Sequence, residues 1–217
     1  MNLKRSLLSG LLGLSITGAG IAAEADEQAA LKVLASEAGL HEKARACQKL
    51  MVTGGPDAVP AMAALLSHEH LSDYARWALE AIEDPAAGEA LRSALPKLKG
   101  RQLIGVVNSL GVRRDAKAAT QLIALVRAPD RGAAEPALAA LGLIASPEAL
   151  KTIHAVLANG PDPLRVPAAH AALAAADHLA GQGDRAAAKK LRAAVAGASV
   201  PDYIRTAAKQ PAAASAN

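Results

Sequence analysis

Phenylalanine is missing from this chain, and tryptophan and tyrosine together supply three of its 217 residues. Sandwiches and barrels of β-strands lean on aromatic and β-branched side chains to fill their pleated surfaces, so an aromatic content of 1% argues against both. Cysteine is nearly absent too. The single thiol, Cys47, cannot form an internal disulfide, there is no C-x-x-C-H haem site, and its place in an apolar helical stretch reads as a small buried hydrophobe. Long apolar runs are also lacking: the stretch from Leu7 to Ile21 is broken by Ser9, Gly10, Gly13, Ser15, Thr17, Gly18 and Gly20. It falls short of the roughly 20 apolar residues that a membrane span needs. No G-x-S-x-G elbow and no phosphate-binding loop occurs, so no catalytic residue and no cofactor is implied.

What is present is alanine, leucine and charge. The chain is 52% hydrophobic and 20% charged, with its apolar mass in small and aliphatic side chains that suit helices. At the N-terminus, MNLKRSLLSGLLGLSITGAGIAA places Lys4 and Arg5 before an apolar run and then small residues, the order of a secretory signal peptide over residues 1–23. Cleavage after Ala23 or Ala25 would leave a periplasmic or secreted protein with no stable membrane insertion. Without Lys4 and Arg5 the basic residues number 22 against 20 acidic ones, a net charge of +2. That bias is too weak to argue a nucleic-acid or membrane-surface partner.

A repeat then emerges. With Leu50, Leu79, Leu110, Leu141 and Leu179 as anchors, alanine stands eight residues after each, at Ala58, Ala87, Ala118, Ala149 and Ala187. Twelve residues after come Met62, Leu91, Leu122, Ile153 and Leu191; sixteen after come Leu66, Leu95, Val126, Leu157 and Val195. Four before stand Ala46, Ala75, Val106, Ala137 and Ala175. These offsets are helical turns, so each frame is two helices with one apolar stripe apiece. Between them lie GPD, DPA, DAK, SPE and DRA, where Asp, Ser or Gly caps the second helix and Pro fits its first turn. The anchors are 29, 31, 31 and 38 residues apart, and the longer last step implies extra turns in a helix from Pro163 to Ala180. About twelve helices are expected between Asp26 and Lys209, with breaks that include Gly39, Gly54-Gly55, Gly100 and Gly111 to Asp115. The repeat domain covers residues 24–209, and the tail 210–217 lacks apolar periodicity and reads as disordered.

Paired helices of about 30 residues with Pro or Asp in the corner resemble HEAT-like repeats. The block ARWALEAIEDPAAGEAL and, further on, LPKLKGRQLIGVVNSLGVRRDAKA, spanning Ala75 to Ala118, is similar to one in short exported bacterial HEAT-repeat proteins. The resemblance implies an all-α, right-handed α-solenoid of about five to six two-helix repeats. It further implies a stand-alone scaffold, monomeric by itself, that binds another protein and has no chemistry of its own. The alternative it implies is a lyase- or chaperone-like protein holding a small ligand in a groove around Trp77.

In such a repeat the second helix of each pair lines the concave side, and residues two before each anchor point about 200° away from the core. That row reads Gln48, Trp77, Asn108, Ala139 and Asp177; the row five before each anchor reads Arg45, Tyr74, Gly105, Pro136 and Ala174. Aromatic and arginine groups, which protein-binding surfaces favour, gather in the second and third frames. The candidate partner-binding residues are therefore Arg45, Tyr74, Trp77, Glu80, Arg101, Asn108, Arg113 and Arg114. Asp115 is expected to cap, while Arg113 and Arg114 would pair with Glu83 or Asp84 at the neighbouring corner or face a ligand. His68-Glu69-His70 lacks the i, i+4 geometry of a zinc helix, and His170 and His178 lie two turns apart; no metal is expected at either.

Overall fold

A computed structural model describes residues 13–210. Most of the expected signal segment and the tail from residue 211 lie outside the described residues. Within them the chain is all-helical: twelve α-helices and three short 3₁₀ turns, with no strand. It divides into two compact units, one up to Ala87 and one from Gly88 onward.

The first unit holds α1 (Gly13–Ala35), α2 (Leu40–Thr53), α3 (Val59–Leu65) and α4 (Ser72–Ala81). Helix α2 packs on α1 and α4, and α3 packs on α4. At the α2–α3 corner the capping position is Gly55, which has no side chain to offer. A carboxylate from another helix takes that part: Gly55 N–H donates to Oε1 of the buried Glu27 of α1 at 2.8 Å. A Lys49–Asp26 ion pair of 2.6 Å ties the same helices together at the surface.

Helix α5 (Pro85–Ala94) runs into the second unit, which continues with α6 (Gly100–Val112), α7 (Ala119–Arg127), α8 (Ala134–Ile144) and α9 (Pro147–Asn159). Then come α10 (Asp162–Gly181), α11 (Arg185–Ala196) and α12 (Asp202–Lys209). Helix α8 packs on both α6 and α10, while α9 touches α7, α8 and α10; α11 lies between α10 and α12. None of the described helices is long and apolar enough to cross a membrane.

The repeat register accounts for the core. In the frames anchored on Leu50, Leu79, Leu110 and Leu141, all twenty marked positions are buried. In the fifth frame only Ala175 and Val195 are; Leu179, Ala187 and Leu191 are half-buried. Two glycines explain the difference. A Cβ on Gly111 would stand 2.8 Å from Cα of Ala140, and one on Gly142 would stand 2.8 Å from Cα of Ala171. A shift of 31 residues carries the first pair onto the second, so the α10 residue packed like Leu141 of α8 is Ala172, which is 1% exposed. Leu179 lies seven residues further on. Two helical turns bring it back to within ~20° of the same stripe, so the sequence pattern persists although the neighbouring helix has ended. Gly111, read from the sequence as part of a break, is instead helical; it is there because two helix backbones meet.

Candidate functional site

The eight candidate residues fall four to each unit. In the first unit, Arg45 of α2 is exposed and the other three lie on α4. His68 sets the start of α4: its Nδ1 accepts from the N–H groups of His70 and Leu71 at 3.1 and 3.3 Å. Two turns of α4 then present Tyr74 edge-on to Trp77, with ring centroids 5.7 Å apart and planes at 82°. Trp77 is 39% exposed. Arg76 lies over its ring, 5.2 Å from the centroid. That guanidinium is held by two carboxylates, donating from Nε to Oδ1 of Asp73 and from Nη1 to Oε1 of Glu80, each at 3.1 Å. Glu80 thus acts on the patch through Arg76. Arg76 was missed in the sequence, where Asp73, Arg76 and Glu80 at i, i+3 and i+7 spell the clamp. The result is an aromatic and cationic patch in which Arg76 is held by carboxylates of its own helix.

In the second unit, Arg101 and Asn108 are exposed on α6 and Arg113 is half-buried at its end. The corner that follows has a definite form. The Asp115 N–H donates to Leu110 O at 3.0 Å and the Arg114 N–H to Gly111 O at 2.9 Å, with Arg114 at φ +50°. This is a Schellman end with Arg114 at the left-handed position. The same two bonds recur at the end of α10, from Asp184 to Leu179 and from Gly183 to Ala180, with Gly183 at φ +91°. The anchor leucine of these frames is therefore also the carbonyl that receives the corner's closing bond.

Asp115 caps as expected, accepting from Lys117 N–H at 3.0 Å, as Ser146 and Asp184 do for Ala149 and Ala187. Its other oxygen pairs with Arg92 of α5 and lies where a Cβ on Gly88 would stand, 2.7 Å away. Arg114 Nη1 donates to Leu143 O at 2.8 Å, satisfying a last-turn carbonyl of α8. Burial pushes the His178 imidazole pKa below its usual value, and the nearby Arg114 charge adds to that. The corner is thus a structural joint first.

The row two before each anchor is exposed at Gln48, Trp77, Asn108, Ala139 and Asp177 alike. By packing, however, the α10 member of the row is the exposed His170, two before Ala172. The row five before does not hold as a surface: Arg45 is exposed, Tyr74, Pro136 and Ala174 are half-buried, and Gly105 is buried. Helix α6 buries Gly105, Val106 and Val107 together, since the position lies beside the buried one four before the anchor.

Elsewhere, Cys47 is buried, and desolvation pushes its thiol pKa up to about 11, so it is no nucleophile at neutral pH. A cleft of about 230 Å³ lies between α9 and the end of α11, lined by His154, Leu157, Ala158, Ala194, Gly197 and Ser199. It is smaller than the ~300 to 1,000 Å³ typical of small-molecule sites. Comparison with known proteins finds no matching family model and no matching curated protein.

Proposed function

We propose that the mature protein is an exported scaffold of HEAT-like helix pairs that binds another protein and performs no chemistry itself. The observation that carries this is the alternation on the anchor helices. Positions −4 and 0 are buried in the first four frames, while the position between them is solvent-facing in each and bears Gln48, Trp77, Asn108 and Ala139. Within each unit, helices with one dry stripe and one wet row supply a regular surface for a partner. The packing of α8 on α6 and α10, with α7 and α9 in contact alongside, supports reading the second unit as part of an α-solenoid.

The Tyr74–Trp77–Arg76 patch favours a protein partner over a small ligand. Trp77 is 39% exposed beside Tyr74 and Arg76, and tryptophan, tyrosine and arginine are the residues enriched among anchors of protein interfaces. Export is supported by the order of charged, apolar and small residues before Ala23. The test has two parts. Intact mass of protein recovered from the periplasm is expected to start at or near Glu24 or Asp26. Cross-linking in the native envelope is expected to trap a partner that Trp77→Ala and Asn108→Ala each lose at unchanged helicity, while Ala139→Ser retains it. Equal capture by all variants would overturn the row as the binding surface, and an unprocessed cytoplasmic chain would overturn export.

A further inference from the structure

The whole-chain charge conceals a segregation that the two units expose. The described residues of the first unit, 13–87, carry five Lys and Arg against eleven Asp and Glu, a net of −6. Residues 88–210 carry seventeen against nine, a net of +8. Part of that excess is neutralised locally: Arg92, Arg165, Arg192 and Arg205 each pair with an aspartate. The cations of two adjoining corners are not. Gln121 of α7 donates to Arg92 O of α5 at 3.2 Å, and Gly111 of α6 abuts Ala140 of α8, so the α5–α6 and α7–α8 corners are neighbours at one end of the stack. Those corners hold Lys97, Lys99, Arg127 and Arg131, all exposed and, among the described residues, in no ion pair. The one acid there, Asp130, is engaged by the Gly132 N–H at 3.0 Å.

We propose that this basic edge captures an extended acidic segment of a partner protein. The inference rests on the protein-binding reading above and adds the chemistry of the partner. Stacked helices lie ~8–10 Å apart. An extended chain in the polyproline II form rises ~3.1 Å per residue with about three residues per turn, which brings carboxylates three positions apart onto one side at about the same spacing. Lipid is disfavoured because the exposed large apolar side chains of this unit, Val112 and Tyr203, lie in neither corner, whereas a membrane-surface segment needs an apolar face to bury. Nucleic acid is disfavoured because Tyr203 is the unit's sole aromatic side chain of the Phe, Tyr and Trp class, too few for a stacking platform.

The test uses the full chain and a fluorescein-labelled peptide with glutamate at every third position. Binding is expected to weaken steeply with salt and to fall on the order of tenfold or more in the Lys97→Glu, Lys99→Glu, Arg127→Glu, Arg131→Glu variant. A control with the same change in net charge elsewhere in the unit, Lys151→Glu, Lys189→Glu, Lys190→Glu, Lys209→Glu, is expected to stay within about threefold of the parent. Circular dichroism verifies that both variants fold. Equal losses in the two variants would make the effect one of net charge and overturn the edge. Binding only to phosphatidylglycerol vesicles or to oligo-dT, or salt-sensitive self-association in ultracentrifugation with no peptide binding, would overturn it in favour of those occupants. Asn108→Ala separates the two readings: it is expected to lose the cross-linked partner and keep the peptide. Peptide binding that survives while the row variants fail to alter capture would sink the earlier reading alone.

Discussion

Gly142→Ala reverses the sign that helix propensity assigns. Alanine exceeds glycine inside a helix by ~1 kcal/mol, and Gly142 lies within α8, so by sequence alone the substitution stabilises. The new methyl, however, would stand 2.6 Å from the Ala171 carbonyl oxygen and 2.8 Å from its Cα. Those are backbone atoms of α10, and a rotamer change cannot move them aside. The helices must part, and overpacking of this kind costs ~1–3 kcal/mol, occasionally more. Because α10 also contacts α9, α11 and α12, the displacement spreads rather than relaxing locally. A net loss of about 0–2 kcal/mol is expected once the propensity gain is subtracted. Gly181→Ala is the control, at the last residue of α10, where an added Cβ meets nothing within 4 Å. It is expected to be neutral or to stabilise by up to ~1 kcal/mol. Urea unfolding followed by far-UV circular dichroism measures both. If Gly142→Ala stabilises as much as Gly181→Ala, then α8 and α10 do not meet at backbone distance and the 31-residue packing register is wrong.

The same register separates two leucines: Leu141→Ala is expected to cost ~2–5 kcal/mol and Leu179→Ala less than half of that, since only the first is fully buried. Equal losses in urea would refute the assignment of Ala172 as the packed equivalent. Cys47 is expected to resist thiol reagents at pH 8 in the native chain and to react once urea opens the first unit; reaction at the rate of a free thiol would contradict its burial. For His178, a native pKa held below 6.5 means that the unfolded chain takes up the proton first, so acid favours unfolding. Its contribution is therefore expected to be intact above about pH 6.5 and to be lost as pH falls below it, and Arg114→Gln is expected to lessen that loss. A pH dependence of unfolding that is unchanged in both His178→Gln and Arg114→Gln would refute the linkage.

Helices were legible because their cause is local. Each frame carries its own stripe, its own capping residue and its own corner, and a 3.6-residue period needs no knowledge of the neighbour. That is why Asp115, Ser146 and Asp184 cap where the sequence places caps. Contact between frames is different. The sequence cannot distinguish a glycine that ends a helix from one that lets another helix approach, and Gly111 was assigned to the wrong class for that reason. Leu179 misled through the near-identity of seven residues and two turns. It keeps the corner chemistry of an anchor, closing a Schellman end at Gly183, while the packing role has moved back to Ala172. An insertion of two turns leaves the hydrophobic pattern intact and changes only what lies opposite it.

The candidate surface was half legible for a related reason. Solvent-facing rows follow from helical phase, so Gln48, Trp77 and Asn108 fell where expected, and His170 was displaced only with its frame. What each exposed group does depends on its neighbours: Arg76, unremarked in the sequence, lies on the Trp77 ring, and Arg114 spends a donor on a carbonyl 29 residues away. Charge shows the same limit at larger scale. Contacts between exposed charges are settled within a Debye length of ~8–10 Å. The quantity that governs a partner's approach is therefore the charge of the few corners within that radius. A near-neutral total of acidic and basic halves says nothing against a strongly charged edge, and the net of +2, too weak to argue a nucleic-acid or membrane-surface partner, does not describe the charge at one end of the second unit.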